Sequence, residues 1–247
     1  MPTPTTIITG AASGIGLAIA QELFNAGHNI VLNDLDDDLL RRVHEEIFST
    51  SIRVCPVPGD TADLHVRKAM FDAAVTQFGG ISHVVANAGI TIFASFLETK
   101  IDAFDRLLAV NLKGTFFLVQ EAINRCLEMG SQPDSILLLS SVTGVQAHSH
   151  LTAYGMTKAA IAMMAKNLVA ELSPLGIRIN ALSPGATLTE RTSSEDYIKT
   201  WSELTPLGQP AEAEDIARAA AFLLSAKHIT GQNLVIDGGW TSISPNP

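Results

Sequence analysis

Three glycines, one acid and a tyrosine–lysine pair carry the spacing in this chain that could do chemistry. Thr9-Gly10-Ala11-Ala12-Ser13-Gly14-Ile15-Gly16 joins a β-branched run to an apolar stretch of helical period. Glycines at 10, 14 and 16 let the chain turn tightly and let backbone N–H groups at a helix start approach a pyrophosphate. The spacing is G-x-x-x-G-x-G, not the general G-x-G-x-x-G, so alone it fits either a nucleotide cradle or a tight turn without a ligand. The next strand ends at Asp34, 18 residues after Gly16, where a carboxylate can accept hydrogen bonds from adenosine ribose hydroxyls. An acid there repels a 2′-phosphate, and no Lys or Arg lies between residues 1 and 40 to neutralise one. NAD is therefore favoured over NADP. Tyr154 and Lys158, four apart, share a helix face. Ser141 lies 13 residues before Tyr154 at the end of a strand, and Asn111 sits in Val110-Asn111-Leu112-Lys113-Gly114. A serine there stands at the carboxyl edge of a sheet, where open α/β folds bind ligands.

Bringing these groups together requires a sheet. Short aliphatic or β-branched runs predict strands at 6–9, 29–33, 52–57, 82–86, 135–140, 177–182 and 233–236. Between them, helical periodicity predicts helices at 15–24, 36–48, 62–78, 101–129, 153–172 and 212–225. Strands apolar on both faces and separated by helices mean a parallel sheet covered on both sides, the doubly wound α/β architecture. No linker, repeat or low-complexity tract interrupts the rhythm, so residues 1–247 are expected to form one domain. Residues 186–211 are the exception, a long polar connection expected to serve as a substrate lid.

Composition narrows the class. Of 247 residues, 47% are hydrophobic and 17% charged, which excludes intrinsic disorder. A net charge of −9 disfavours nucleic acid as a partner. Apolar runs such as Ile136–Leu139 are too short to span a bilayer, and the Met-Pro-Thr-Pro start has no signal-peptide character. Cys55 and Cys126 have no zinc-set spacing and are expected to be buried thiols. A cytoplasmic enzyme or binding protein acting on a small molecule is expected. His148-Ser149-His150 lacks a third ligand, so no metal is expected and His148 reads as a pocket-wall residue. His28, His44, His65, His83 and His228 read as surface residues, and Asp36 to Asp38 as a solvated helix start.

The motifs together, with Asp60, Asn87-Ala88-Gly89, Pro184-Gly185 and Ile236-Asp237-Gly238-Gly239, resemble the single-domain form of the short-chain dehydrogenase/reductase family across nearly the whole chain. The resemblance implies a Rossmann-type, seven-stranded parallel sheet and a proton relay of Asn111, Ser141, Tyr154 and Lys158. A tyrosine of ordinary acidity is a poor base at neutral pH. A neighbouring Lys158 ammonium and a positive nicotinamide ring would favour its phenolate. Lys158 would also bond the nicotinamide ribose, Ser141 would hold the substrate oxygen, and Asn111 would position a water linking Lys158 to solvent. The implied cofactor contacts are Gly10, Ser13, Gly14, Ile15, Gly16, Asp34, Leu35, Asp60, Thr61, Asn87, Ala88, Gly89, Tyr154, Lys158, Pro184, Gly185, Thr187 and Thr189. Asp60 would receive the adenine amino group. Asn87 to Gly89 would pack beneath the cofactor, and Pro184-Gly185 with Thr187 and Thr189 would meet the nicotinamide carboxamide. Asp237 reads as a structural acid.

The implied activity is NAD-dependent hydride transfer between nicotinamide and a secondary alcohol or sugar hydroxyl and its carbonyl. A 3-oxoacyl thioester reductase matches the motifs equally well, but would usually want NADPH, against which Asp34 counts. A non-catalytic nucleotide-binding protein would not need all four relay residues. The lid mixes Glu190, Arg191, Glu195, Asp196 and Lys199 with Tyr197 and Trp201, which leans toward a small polar substrate such as a sugar and away from a steroid. The resemblance also implies a homotetramer built on helices 101–129 and 153–172, where Ala159, Ala160, Ala162 and Ala165 would allow close approach.

Overall fold

β1 (Thr5–Thr9) is an interior strand of the computed structural model, which describes residues 3–243; Met1, Pro2 and residues 244–247, including the first residues of the start read as lacking a leader, lie outside them. Its neighbours are β2 (Asn29–Asp34) and β4 (His83–Ala86). With β3 (Val54–Pro58), β5 (Ser135–Leu139), β6 (Arg178–Pro184) and β9 (Asn233–Ile236) they form a seven-stranded parallel sheet of order β3-β2-β1-β4-β5-β6-β9. The order reverses between β1 and β4, which opens a crevice at their carboxyl ends.

Alternation along a strand explains the two cores. Ile7 and Ile8 are both fully buried but face opposite sides of the sheet. Ile7 packs with Val84, Ile136 and residues of α3 (Leu64–Phe78), α5 (Thr115–Glu128) and α6 (Thr152–Asn167). Ile8 packs with Leu32, Val85 and residues of α1 (Gly14–Asn25), α2 (Asp37–Glu46) and α9 (Ala213–Ser225). Burying each such side chain contributes about 1.5–3 kcal/mol. No helix among the described residues is long and apolar enough to cross a membrane.

Several elements differ from their sequence expectation. The third strand starts at Val54 because Ile52, read as its first residue, is 92% exposed in a turn closed by Val54 N–H to Ser51 O. The helix expected at 101–129 runs as α4 (Ile101–Leu107), a π-helical turn (Leu108–Gly114) and α5. The region expected as one helix at 153–172 breaks at Leu168 between α6 and α7 (Val169–Leu172). The 186–211 connection is itself structured: β7 (Thr187–Leu188) pairs with β8 (Ala211–Glu212), and α8 (Glu195–Leu204) lies between. Ser194 caps α8 by accepting the Tyr197 N–H, and Glu195 and Asp196 complement its first turn. Asp36 likewise caps α2 through Leu39 N–H.

Two histidines and one alanine are also placed differently. His83 is buried at the start of β4 and His28 is half-buried against it, because Thr6 Oγ1 bonds the Nδ1 atoms of both. Ala165 faces the chain's own core, so it cannot serve helix approach between subunits, whereas Ala159 and Ala160 are exposed. Cys55 and Cys126 are buried free thiols, and burial pushes the Cys126 thiol up to about 11.

Candidate active site

The strand-to-helix turn after β1 shows why its glycines are glycines. Gly10 and Gly14 have φ of +62° and +53°, which a side chain rarely tolerates. A Cβ on Gly16 would collide with Gly10 O and the Asn87 amide. That amide donates to Thr9 O and Gly10 O at 2.9 and 2.8 Å, locking the β4 exit onto the turn. Thr9 Oγ1 accepts the backbone N–H groups of Asn87 and Ala88, both at 3.1 Å.

A cavity of about 410 Å³ runs along this crevice. It is lined by Gly10, Ser13, Gly14, Ile15, Gly16, Asp34, Leu35, Asp60, Thr61, Asn87, Ala88, Gly89 and Thr189, all expected as cofactor contacts. Asp34 Oδ2 accepts the Ala12 N–H at 3.0 Å, so the turn itself orients the carboxylate. Asp60 Oδ1 accepts the Ala62 N–H at 2.8 Å. The loop carrying Asp60 and Thr61 is held from beneath by Arg67, which is buried. Arg67 donates to Thr61 O at 2.6 Å and forks onto the Glu121 carboxylate at 2.8 and 3.1 Å.

Sequence spacing missed other cavity residues. Arg106 lines it 3.7 Å from Asp60, and Arg191 and Asn33 line it as well. Glu190 reaches across 176 residues to accept the N–H of Gly14, the first residue of α1, at 3.0 Å. The terms of a dinucleotide fit are present: N–H groups at a helix start for a diphosphate, and two oriented carboxylates for hydroxyl and amino groups.

Ser141, Tyr154, Lys158, Pro184, Gly185 and Thr187 do not line that cavity; they lie further along the same carboxyl edge, beyond β5 and β6. Ser141 directly follows β5, and its Oγ accepts the backbone N–H and hydroxyl of Thr143 at 3.2 and 2.9 Å. Its own hydroxyl proton is therefore free to point outward. Lys158, 5% exposed, donates from Nζ to Leu139 O at 2.8 Å, and Nζ sits 5.6 Å from the Tyr154 ring centre. Gly89 links the two halves: a Cβ there would stand 3.3 Å from Lys158 Nζ and 3.4 Å from Asn111 Oδ1.

The π-helical turn places Asn111. Its Oδ1 accepts the Ile90 N–H at 2.8 Å, while Nδ2 donates to Ile90 O at 3.0 Å and Thr157 Oγ1 at 3.1 Å. Both amide protons are spent, leaving one Oδ1 lone pair. Gly185 packs directly on Asp237, whose carboxylate accepts from Gly239 N, Thr241 N and Thr241 Oγ1. Burial alone would raise the Asp237 carboxyl, but these bonds outweigh it and hold it below the ordinary range, as befits a structural acid.

Comparison with known proteins agrees with this fold. The sequence family described as enoyl-(acyl carrier protein) reductase matches residues 10–241. The chain is 34% identical to 3beta-hydroxysteroid dehydrogenase 1 of Eggerthella lenta over 244 residues, covering 96% of this chain and 93% of that one. It is also 34% identical to the L-rhamnose 1-dehydrogenase (NAD(P)(+)) of Azotobacter vinelandii over 245 residues, covering 95% of each. The crystal structure of 3-ketoacyl-(acyl-carrier-protein) reductase from Brucella melitensis complexed with NADH superposes with a TM-score of 0.89 at 30% identity, over 97% of this chain and 99% of that one.

Proposed function

The chain belongs to the short-chain dehydrogenase/reductase family and is an oxidoreductase that uses a nicotinamide cofactor; from that premise we propose that it is NAD-dependent and interconverts a secondary alcohol or sugar hydroxyl with its carbonyl. The observation that carries the cofactor preference is Asp34, held by the glycine turn at the cavity wall, where its charge disfavours a 2′-phosphate. Of the basic residues lining the cavity, Arg106 pairs with Asp60 at 3.7 Å, while Arg191 has no ion-pair partner among the described residues, so the preference rests on Asp34. When bound, nicotinamide accepts or supplies the hydride.

The chain's own residues supply the rest. Gly10, Ser13, Gly14, Ile15 and Gly16 would present the helix start to the diphosphate, Asp34 and Leu35 would meet the ribose, and Asp60 and Thr61 the adenine. Ser141, with its proton free, would donate to the substrate oxygen and stabilise charge on it. Tyr154 would take or give the hydroxyl proton. Lys158, fixed by the Leu139 carbonyl, would hold positive charge beside that phenol and bond the nicotinamide ribose. Asn111 would use its remaining lone pair to seat a water beside Lys158.

The sugar dehydrogenase relative supports the alcohol reading. The thioester reductase remains its competitor, because the Brucella reductase was crystallised with NADH, so a preference for NAD does not by itself exclude that substrate. Purified protein should reduce NAD with members of an alcohol and sugar panel, at a kcat/KM at least about tenfold above that with NADP, a difference of about 1.4 kcal/mol. A preference for NADP would overturn the cofactor assignment, and turnover restricted to 3-oxoacyl thioesters the substrate class. We also infer a cytoplasmic homotetramer. Ile101, Phe116, Met156 and Met163 give the helices from α4 to α6 an exposed apolar face, and a monomeric sedimentation mass would refute it.

A further inference from the structure

Both tryptophans of the chain meet on the same carboxyl edge as Ser141. Trp201 and Trp240 have ring centres 5.4 Å apart and nearly perpendicular planes. His148 lies 6.4 Å from Trp201 and 6.5 Å from Trp240. The three rings arrive from connections that follow adjacent strands: His148 from between Ser141 and Tyr154 after β5, Trp201 from α8 after β6, and Trp240 from the turn after β9.

Their frame is fixed. The Asp237 carboxylate holds the Gly239–Thr241 turn that carries Trp240, and Leu207 N–H donates to Gly238 O, docking the end of α8 onto that turn. The polar atoms are specified too. His148 Nδ1 lies 2.9 Å from Ser149 O; a carbonyl only accepts, so Nδ1 carries the proton and Nε2 of the neutral ring is an acceptor. Among the described residues neither indole N–H has a partner, and neither is buried, so both are open donors. All three rings are half-buried.

An indole face with a second indole set edge-on against it, two donors and one acceptor suit a molecule with an apolar face and a hydroxylated rim. We propose that His148, Trp201 and Trp240 form the wall of the substrate subsite and select a hydroxylated ring, a cyclic polyol or pyranose, over an open chain. The C–H face of the ring lies on the indoles, and its hydroxyls meet the indole N–H groups and His148 Nε2. An acyl chain offers neither a ring face nor a hydroxylated rim to these groups. The proposal rests on the reading of Tyr154 as acid/base, and extends it to the part of the substrate that does not react.

Because the chain has no other tryptophan, indole fluorescence of the turnover-deficient Tyr154→Phe variant reports this subsite separately from turnover. That variant, saturated with NAD, is titrated with trans-cyclohexane-1,2-diol and with a set of aldopyranoses, and in parallel with open-chain hexane-2,3-diol, while turnover is measured on the parent. The ring probes should give a saturable fluorescence change at concentrations at least about tenfold lower than the open-chain diol. Trp240→Ala and Trp201→Ala should lower kcat/KM for ring substrates by about tenfold and change open-chain substrates less than about threefold. Trp240→Phe, which keeps the packing and removes the N–H, should fall between, so the test survives if the alanine variants misfold. Equal losses for both substrate classes, or no fluorescence response to any ring probe, would overturn the proposal. Saturable ring binding without turnover would sink the alcohol dehydrogenase reading and leave the subsite standing.

Discussion

The two ends of one parallel sheet are built to opposite rules. At the amino end most polar side chains find partners within the fold, the buried Ser135 hydroxyl being an exception. Arg178, the first residue of β6, caps α9 by donating to Leu223 O, Leu224 O and Ala226 O at 2.6–2.9 Å. Arg53 donates to Phe24 O and His28 O and lies 4.0 Å over the Phe24 ring. Thr6 Oγ1 bonds two imidazoles at 2.9 and 3.3 Å; its single proton can go to only one, so the other ring must donate and the two hold different tautomers. At the carboxyl end the strands run out into glycine turns and hydroxyls. The Ser141 proton, the second lone pairs of Asp34 and the indole N–H groups have no partners among the described residues. The same strands therefore spend their bonds on stability at one end and reserve them for ligands at the other.

The largest test of that division is Tyr154→Phe. The phenol oxygen has no hydrogen-bond partner among the described residues, so its loss should leave thermal stability nearly unchanged. Removing the proposed acid/base should lower kcat by about 10²–10⁴-fold, read from the rate of NADH formation. A variant that kept full rate would remove Tyr154 from the chemistry. One that unfolded would show that the carboxyl edge also carries stability.

The converse test lies at the other end. Burial, then His28 and Arg178, push His83 down from 6.5 to about 4. Between those values the unfolded chain binds a proton that the folded chain refuses. The stability is thus fully present above about pH 6.5 and is lost as pH falls toward 4, by up to about 3 kcal/mol. Denaturant midpoints at pH 7 and pH 4.5 should differ less in His83→Gln than in the parent, while turnover at pH 7 stays the same. An identical acid slope in both proteins would refute the assignment.

How much was legible in the sequence follows from the same division. Gly10, Gly14, Gly16, Asp34, Tyr154 and Lys158 act through local spacing, a turn or one helix face, and such geometry is written in consecutive residues. The support for them is not local. Arg67 reaches Thr61 only because α3 and α5 bring Glu121 beside it, and Arg106 reaches Asp60 only when α4 crosses the crevice. The π-helical turn at Leu108–Gly114 reads as ordinary helix in its periodicity, and its purpose is visible only when the Asn111 amide meets Ile90. His83 looked solvated because a polar residue at a strand start usually is; a partner on β1, 77 residues away, reverses that. The exception is α8, whose Ser194 cap and first-turn acids were readable, but the polar composition of 186–211 masked them.

Glu190 tests the boundary between the two rules, since it closes a bond at the open end. Its carboxylate takes the Gly14 N–H at the positive end of α1, the donor that the proposed diphosphate would need. Two anions cannot share that N–H, and a carboxylate displaced by a short distance still repels the phosphates. Glu190→Gln keeps the length and an acceptor oxygen but removes the charge. Its affinity for NADH, measured by nucleotide fluorescence, should rise about threefold to fivefold at low salt, in line with one exposed charge at a helix terminus. The advantage should shrink as ionic strength rises, because the contact is solvent-exposed and screened within about 10 Å at 0.1 M. Weaker binding in the variant would mean that Glu190 orders the turn for the cofactor. The carboxyl edge would then be partly self-satisfied, as the amino edge is.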